Sequence, residues 1–144
     1  MIVVADTSAL LAAFDDGEAE HTRALAVMSS ERLVISPLVL AELDHLVHRD
    51  FGFRAATEAI EALTDRITDG DYTLATVSND DLLSAGQVRL AYRSLELDLA
   101  DGIGVVIADR YRTNRIFTLD QRDFRVVKPL TRGFASFTIL PADG

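Results

Sequence analysis

Four carboxylate side chains lie at the ends of predicted strands or at the starts of predicted helices. Asp6 directly follows an apolar run, and Asp120 closely follows a later one. Glu42 lies in the first part of a helical stretch, and Asp101 opens another. Carboxylate oxygens without a nearby histidine or cysteine are the ligands that Mg²⁺ and Mn²⁺ prefer, and they do not favour zinc. The four residues therefore predict a hard-cation site, provided that the fold brings them together.

Each of the four also has an ordinary structural interpretation. The helix dipole favours Asp6 or Asp101 near a helix start, Glu42 suits an exposed helix position, and Asp120 is a common turn residue. Taken singly, these interpretations are the better ones. Four carboxylates at one end of a sheet would repel each other unless a cation lay between them, and this favours a shared site.

Other chemistries are poorly supported. The three histidines, His21, His45 and His48, do not form a ligand pattern with the acidic residues, and we expect His45 and His48 on a helix surface. The chain has no cysteine, which excludes a disulfide framework, a thiolate metal site and a cysteine nucleophile. Thr7 and Ser8 follow Asp6, and either hydroxyl suits the cap of a helix.

Strands and helices alternate along the chain. Short runs rich in β-branched residues predict strands over 2–5, 33–35, 72–77, 115–118 and 137–140. Periodic apolar residues predict helices over 7–14, 18–29, 53–67, 78–95 and 101–111. The cap Ser36-Pro37 predicts a further helix that begins at residue 37. This pattern predicts one domain, residues 1–144, with an α/β fold of three α/β/α layers around a parallel sheet of about five strands. Ligands of such sheets bind beyond the carboxyl ends of the strands, where the four acidic residues are expected.

Composition places limits on the class of protein. Nearly half of the residues are hydrophobic and about a quarter are charged, which is typical of a globular domain. No apolar stretch has the ~18 residues needed to span a bilayer. The first residues carry no basic side chain before the apolar run, so we expect no secretory signal and a cytoplasmic protein.

The net charge of −9 argues against nucleic acid as a partner, but the charge is unevenly distributed. Residues 1–80 carry 15 acidic and 5 basic side chains, whereas residues 109–132 have a net charge of +4. All but one of the cations in the chain are arginines, which suit bidentate phosphate contacts. A solvated helix face is the ordinary interpretation of this basic strip. We expect four of its residues to hold an RNA backbone: Arg110, Arg112, Arg115 and Arg122.

Four stretches, in this order, resemble the PIN domain family and, within it, the VapC-type toxin ribonucleases of bacterial toxin–antitoxin pairs. They are residues 3–10 (VVADTSAL), 36–43 (SPLVLAEL), 99–102 (LADG) and 116–120 (IFTLD), the last with 123–124 (DF) behind it. Each stretch is weakly specific alone, but the ordered set covers nearly the whole chain.

The resemblance implies that the acidic quartet of the family is Asp6, Glu42, Asp101 and Asp120. It also implies that hydroxyls at the edge of the site, those of Ser8 and Thr118, support the ligands.

Three neighbouring positions need separate interpretations. The family usually has alanine where this chain has Gly102, so the helix start is expected to be slightly looser. Asp98 is an additional carboxylate that we expect to reach the metal through water. Asp123 is interpreted as the cap of the short segment 122–124 and not as a ligand.

For function, the resemblance implies a Mg²⁺-dependent endoribonuclease, with Mn²⁺ as a substitute, that cleaves a structured tRNA or rRNA loop through a metal-activated water. It also implies a cognate antitoxin and a homodimer, with contacts expected from the apolar faces of helices 7–14 and 53–67. Two alternatives remain open from the residues alone. One is a non-catalytic PIN-like interaction module, and the other is a DNA-directed nuclease with the same metal site.

Overall fold

The computed structural model describes all of residues 1–144 and contains one parallel sheet of five strands. The strand order is β3-β2-β1-β4-β5, and every neighbouring pair is parallel. The strands are β1 (Ile2–Ala5), β2 (Arg32–Ile35), β3 (Thr73–Leu74), β4 (Arg115–Phe117) and β5 (Thr138–Leu140). The predicted three-layer α/β/α fold is confirmed.

Seven α-helices cover both faces of this sheet. They are α1 (Thr7–Phe14), α2 (His21–Ser30), α3 (Pro37–Phe51), α4 (Phe53–Thr68), α5 (Asn79–Ala91), α6 (Leu99–Arg110) and α7 (Gln121–Phe124). Helices α1 to α4 bury their apolar residues in one core cluster, and α5 and α6 bury theirs in the other. None of these helices combines the length and the apolar character that crossing a membrane requires.

The two cores follow from the alternation of side chains along the strands. On β1, Val3 and Ala5 belong to the core under α1 to α4, whereas Val4 belongs to the core under α5 and α6. Successive side chains of a strand point to opposite faces, so a strand buried on both sides must be apolar throughout. Polar residues, among them Asp6, Ser36 and Thr118, directly follow the strand ends.

Local capping fixes the direction of the helices that follow the strands. Ser36 Oγ accepts the backbone N–H of Val39 at 3.2 Å, and Pro37 occupies the first turn of α3. This arrangement is the one predicted from the sequence. Gly52, at φ 94°, separates α3 from α4 and adopts a conformation that other residues rarely take.

Some boundaries differ from the predictions. β3 has two residues in place of the six predicted at 72–77, because it lies at the edge of the sheet and pairs only with β2. α5 ends at Ala91 and a 3₁₀ turn, Arg93–Leu95, follows it, where one continuous helix was predicted. α6 begins at Leu99, two residues before the predicted start at Asp101.

The apolar residues expected at a dimer contact are largely used by the core. Leu10 and Leu63 are fully buried, and Leu11 and Phe14 are partly buried against the same cluster. At the start of α4, by contrast, Phe53 is 69% exposed.

Candidate metal centre

The order of the strands reverses between β1 and β4. From β1, the chain proceeds outward through β2 and β3 on one side and through β4 and β5 on the other. Such a reversal opens a crevice beyond the carboxyl ends of the two central strands. Asp6 follows β1 and Asp120 follows β4, so both residues lie at this crevice.

Two hydroxyls hold the carboxylate of Asp6. Thr118 Oγ1 donates to Asp6 Oδ2 at 2.7 Å, and Ser8 Oγ lies 3.2 Å from the same oxygen. Asp6 occupies the N-cap position of α1, but its side chain makes no capping hydrogen bond. A purely structural role as a helix cap therefore does not explain Asp6.

The hydroxyls of Ser8 and Thr118 also bind the segment after β4. Ser8 Oγ accepts the backbone N–H of Leu119 at 2.9 Å, and Thr118 Oγ1 accepts that of Asp120 at 3.0 Å. The two hydroxyl oxygens are 3.1 Å apart. Each hydroxyl has a single proton to donate. The 2.7 Å distance between Thr118 Oγ1 and Asp6 Oδ2 indicates that Thr118 donates its proton to Asp6, and Ser8 donates its own either to Asp6 or to Thr118. Thr7, in contrast, has a buried hydroxyl without any hydrogen-bond partner.

Burial raises the pKa of Asp6 above its ordinary value, and the hydrogen bond from Thr118 partly offsets this. No side-chain donor reaches Oδ1, the other carboxylate oxygen. The structure therefore presents a partly buried carboxylate with one oxygen fixed and the other free of side-chain partners.

Asp101 lies in the first turn of α6, and the pKa of its carboxyl is strongly raised. Burial raises its pKa to about 8, with further contributions from the negative charges of Asp6, Asp98 and Asp120. Asp98 is the N-cap of α6 and accepts the backbone N–H of Asp101 at 2.9 Å. Asp98, which was expected to reach a metal through water, therefore caps the helix that carries Asp101.

Asp120 and Asp123 lie next to Asp101. One carboxylate oxygen from each of the three residues lies within 4.8 Å of the other two. Asp120 is the N-cap of α7, and its Oδ1 accepts the backbone N–H of Asp123 at 3.1 Å. The prediction that Asp123 caps this segment is wrong, because Asp120 does so and Asp123 turns its carboxylate inward. Burial raises the pKa of Asp120, and the neighbouring carboxylate of Asp123 adds to the effect.

Glu42 lies on α3 and is half-buried. Its side chain forms no hydrogen bond or ion pair, and it does not belong to the group formed by Asp101, Asp120 and Asp123. The structure thus brings Asp6, Asp101 and Asp120 to one region, while the role of Glu42 stays a prediction.

Gly102 follows Asp101 at a close contact between α5 and α6. A Cβ at this position would lie 3.1 Å from the carbonyl oxygen of Ala85 and 3.2 Å from its Cβ. The missing methyl lets α6 approach α5 closely, which the sequence did not predict, and a looser helix start stays a prediction.

Only one of the four predicted RNA-binding arginines lies next to these carboxylates. Arg122 Nε is 3.4 Å from Asp123 Oδ1, and its side chain is 79% exposed. Arg115 begins β4, so it lies at the amino-terminal ends of the strands, opposite the crevice, where it pairs with Glu31 at 2.9 Å. Arg115 therefore lies away from the acidic residues.

The other two arginines lie near the far end of α6. Arg110 is the last residue of α6, about 14 Å along the axis from Asp101 at 1.5 Å per residue. It binds Asp81 Oδ2 at 2.6 Å and the carbonyl oxygen of Thr76 at 2.8 Å. Arg112 follows at φ 51° and is exposed. Neither residue flanks the carboxylates, and a contact of either with RNA stays a prediction.

The donor set fits a hard divalent cation. Mg²⁺ binds oxygen at about 2.0–2.1 Å, so two ligand oxygens of one ion lie at most about 4.2 Å apart. The carboxylate oxygens of Asp101, Asp120 and Asp123 lie within 4.8 Å of one another, so they must come closer together to share one ion. Mutual repulsion opposes this approach until a cation is present.

Comparisons with known proteins identify the family of this chain. A family model described as "PIN domain" matches residues 3–129. The chain is 37% identical over 141 residues to Ribonuclease VapC26 of Mycobacterium tuberculosis, and the alignment covers 96% of this chain and 100% of the relative.

Solved structures share the fold. VapC20 of Mycobacterium tuberculosis, described as a sarcin-ricin loop cleaving toxin, superposes with a TM-score of 0.73 at 22% identity, over 83% of this chain and 90% of its own. VapBC2 from Rickettsia felis, bound to a DNA fragment from its promoter, gives a TM-score of 0.65 at 17% identity, over 91% of this chain and 96% of its own. The chain belongs to the PIN domain family, in its VapC-type branch.

Proposed function

We propose that this protein is a Mg²⁺-dependent endoribonuclease, the toxin of a toxin–antitoxin pair, and that it cleaves a structured RNA. The observation that carries this proposal is the convergence of Asp6, Asp101 and Asp120 at the reversal in strand order. The near full-length similarity to a VapC ribonuclease supports the same conclusion.

Asp6, Asp101 and Asp120, with Glu42 from α3, are the residues that would hold the ion. When bound, the ion supplies an activated water for in-line attack on a phosphodiester and neutralises charge on the phosphate oxygens. Ser8 and Thr118 orient Asp6 and the backbone after β4, so that the carboxylates need little rearrangement. No histidine or other protein base has a part in this mechanism.

Arg122 is the cation placed to contact the RNA backbone beside the carboxylates. Because the surrounding surface is acidic, weak and strongly salt-dependent RNA binding is expected.

An exposed loop of tRNA or rRNA is the proposed substrate class, because unstacked bases in loops are the usual targets of sequence-specific RNA recognition. The sarcin-ricin loop, which VapC20 is described as cleaving, is one loop to include in the test.

A cognate antitoxin and a homodimer are the proposed partners. A VapBC complex and a toxin–antitoxin complex from Klebsiella pneumoniae, the latter with a TM-score of 0.58 at 18% identity, share the fold of this chain. An antitoxin segment with a basic side chain would complement the charge of the acidic site.

The proposal is tested by incubating total RNA with the protein and Mg²⁺ and sequencing the new 5′ ends. Asp6→Asn preserves the shape of the side chain but removes its charge, and it serves as the inactive control. Defined new ends that depend on both Mg²⁺ and Asp6 are expected. An absence of cleavage with folded wild-type protein would favour the interaction module, and cleavage of DNA in preference to RNA would favour the DNA-directed nuclease.

A further inference from the structure

Asp123 is the only charged residue among the buried residues of the chain, with 9% of its surface exposed. An ionised carboxylate removed from water is costly unless a cation or several hydrogen-bond donors compensate it. Its carboxylate accepts no backbone N–H, and its only cationic partner is Arg122 Nε at 3.4 Å, on a side chain that is 79% exposed. Its other neighbour is the carboxyl of Asp120, whose pKa this contact raises. The fold therefore leaves this buried charge largely uncompensated.

Two partly buried carboxylates elsewhere in the chain have better partners. Asp143 accepts two hydrogen bonds from Arg125, at 2.6 and 2.8 Å, and one from the backbone of Ile139. Glu31 pairs with Arg115 and with the N-terminal amino group. Asp123 is more buried than either of them and lacks comparable partners.

We propose that Asp123 is a further metal ligand, which supplies a carboxylate oxygen to the ion held by Asp101 and Asp120. This inference rests on the proposed function, because it assigns an additional residue to the same cation. Asp120 and Asp123 lie three residues apart in one turn of helix, and residues at this spacing lie on the same face. Oδ1 of Asp120 accepts the backbone N–H of Asp123, so part of the acceptor capacity of Asp120 is already used. Asp123 would add a further carboxylate oxygen to the ion.

The test measures Mn²⁺ binding by isothermal titration calorimetry and by the EPR signal of free Mn²⁺, without RNA. Wild-type protein is compared with Asp123→Asn and with Asp65→Asn, a matched control that removes an exposed carboxylate from α4. We expect the Kd for Mn²⁺ to rise at least tenfold in Asp123→Asn and to stay unchanged in Asp65→Asn. We also expect metal-free Asp123→Asn to be at least as stable as the wild type, because the change removes a repelling charge.

The opposite pattern would contradict the inference. An unchanged Kd together with a lower Tm would make Asp123 a structural residue and would leave the proposed function intact. A wild-type protein that binds no Mn²⁺ would overturn both proposals.

A second measurement needs no substitution. The side-chain carboxyl ¹³C resonance of Asp123 in wild-type protein should shift during a Mg²⁺ titration, with the same midpoint as that of Asp101. A resonance of Asp123 that stays in place while that of Asp101 shifts would overturn the inference, whatever the stability of the variant.

Discussion

Thr118 Oγ1 donates a 2.7 Å hydrogen bond to Asp6 Oδ2 and accepts the backbone N–H of Asp120 at 3.0 Å. One buried hydroxyl thus connects the residues that follow β1 and β4, the two strands on either side of the reversal in strand order. This connection sets the separation of two carboxylates that are far apart in the sequence, and it explains why a hydroxyl residue directly follows β4.

Thr118→Val removes that hydroxyl and keeps the shape of the side chain. We expect Mg²⁺-dependent cleavage to fall about 10- to 100-fold, as for other residues that orient metal ligands. Thr113→Val is the matched control, because Thr113 is also buried and its hydroxyl also bonds two backbone groups, Ile2 O at 2.9 Å and Arg115 N at 3.2 Å, at the opposite edge of the sheet.

Both threonine variants should lose roughly 1–3 kcal/mol of unfolding free energy, because each leaves buried polar groups without a partner. Only Thr118→Val should lose cleavage in addition. Equal cleavage by the two folded variants would show that the hydroxyl of Thr118 does not support the site.

Gly102→Ala tests the close contact between α5 and α6. The new methyl would meet the backbone oxygen of Ala85 at 3.1 Å, which cannot move without shifting α5. A loss of about 1–3 kcal/mol in unfolding free energy is expected from chemical denaturation.

Gly104→Ala is the control in the same helix, because nothing lies within 4 Å of its added methyl. Alanine in a helix interior is preferred over glycine by about 0.5–1 kcal/mol, so this variant should gain stability. A gain in both variants would contradict the proposed role of Gly102.

Asp101→Asn should stabilise the metal-free protein at neutral pH. The pKa of Asp101 is raised from 3.8 to about 8 in the folded chain, so the folded state retains a proton that the unfolded chain has released between these values. The contribution of Asp101 to the free energy of unfolding therefore falls as pH rises from about 4 to about 8. We expect a Tm advantage of the variant that grows over this range and vanishes below pH 4. A constant difference between the two Tm values across this range would be inconsistent with the raised pKa.

Arg122→Gln should weaken RNA binding and reduce its dependence on salt concentration, because one phosphate contact is lost. Arg115→Gln should destabilise the protein through loss of the pair with Glu31 and leave RNA binding unchanged. Filter binding at several salt concentrations distinguishes the two arginines. An effect of Arg115 on RNA affinity would place the substrate at the other edge of the sheet.

The sequence predicts the fold and the positions of the main carboxylates well, since both follow from local patterns. The apolar run of β1 and the Ser36-Pro37 start of α3 are visible in short windows. A parallel sheet then requires that Asp6 and Asp120, which follow their strands, lie at one edge.

The role of Asp123 could not be predicted in this way. Helix α7 has only four residues, too few for periodicity to show which face is buried. Capping by Asp120, and not by Asp123, depends on the backbone conformation after β4, which tertiary contacts determine. The position of Arg115, in contrast, was accessible from the sequence, because a residue that begins a strand lies at the opposite edge from one that follows it.

Diffraction from crystals grown with Mn²⁺ gives the most direct evidence on whether the separated carboxylates form one cation site. We expect an anomalous peak at coordination distance, about 2.0–2.3 Å, from carboxylate oxygens of Asp101 and Asp120. No peak there in crystals soaked at saturating Mn²⁺, or a peak only at acidic residues elsewhere on the surface, would contradict the assignment of these residues to a metal-dependent nuclease site.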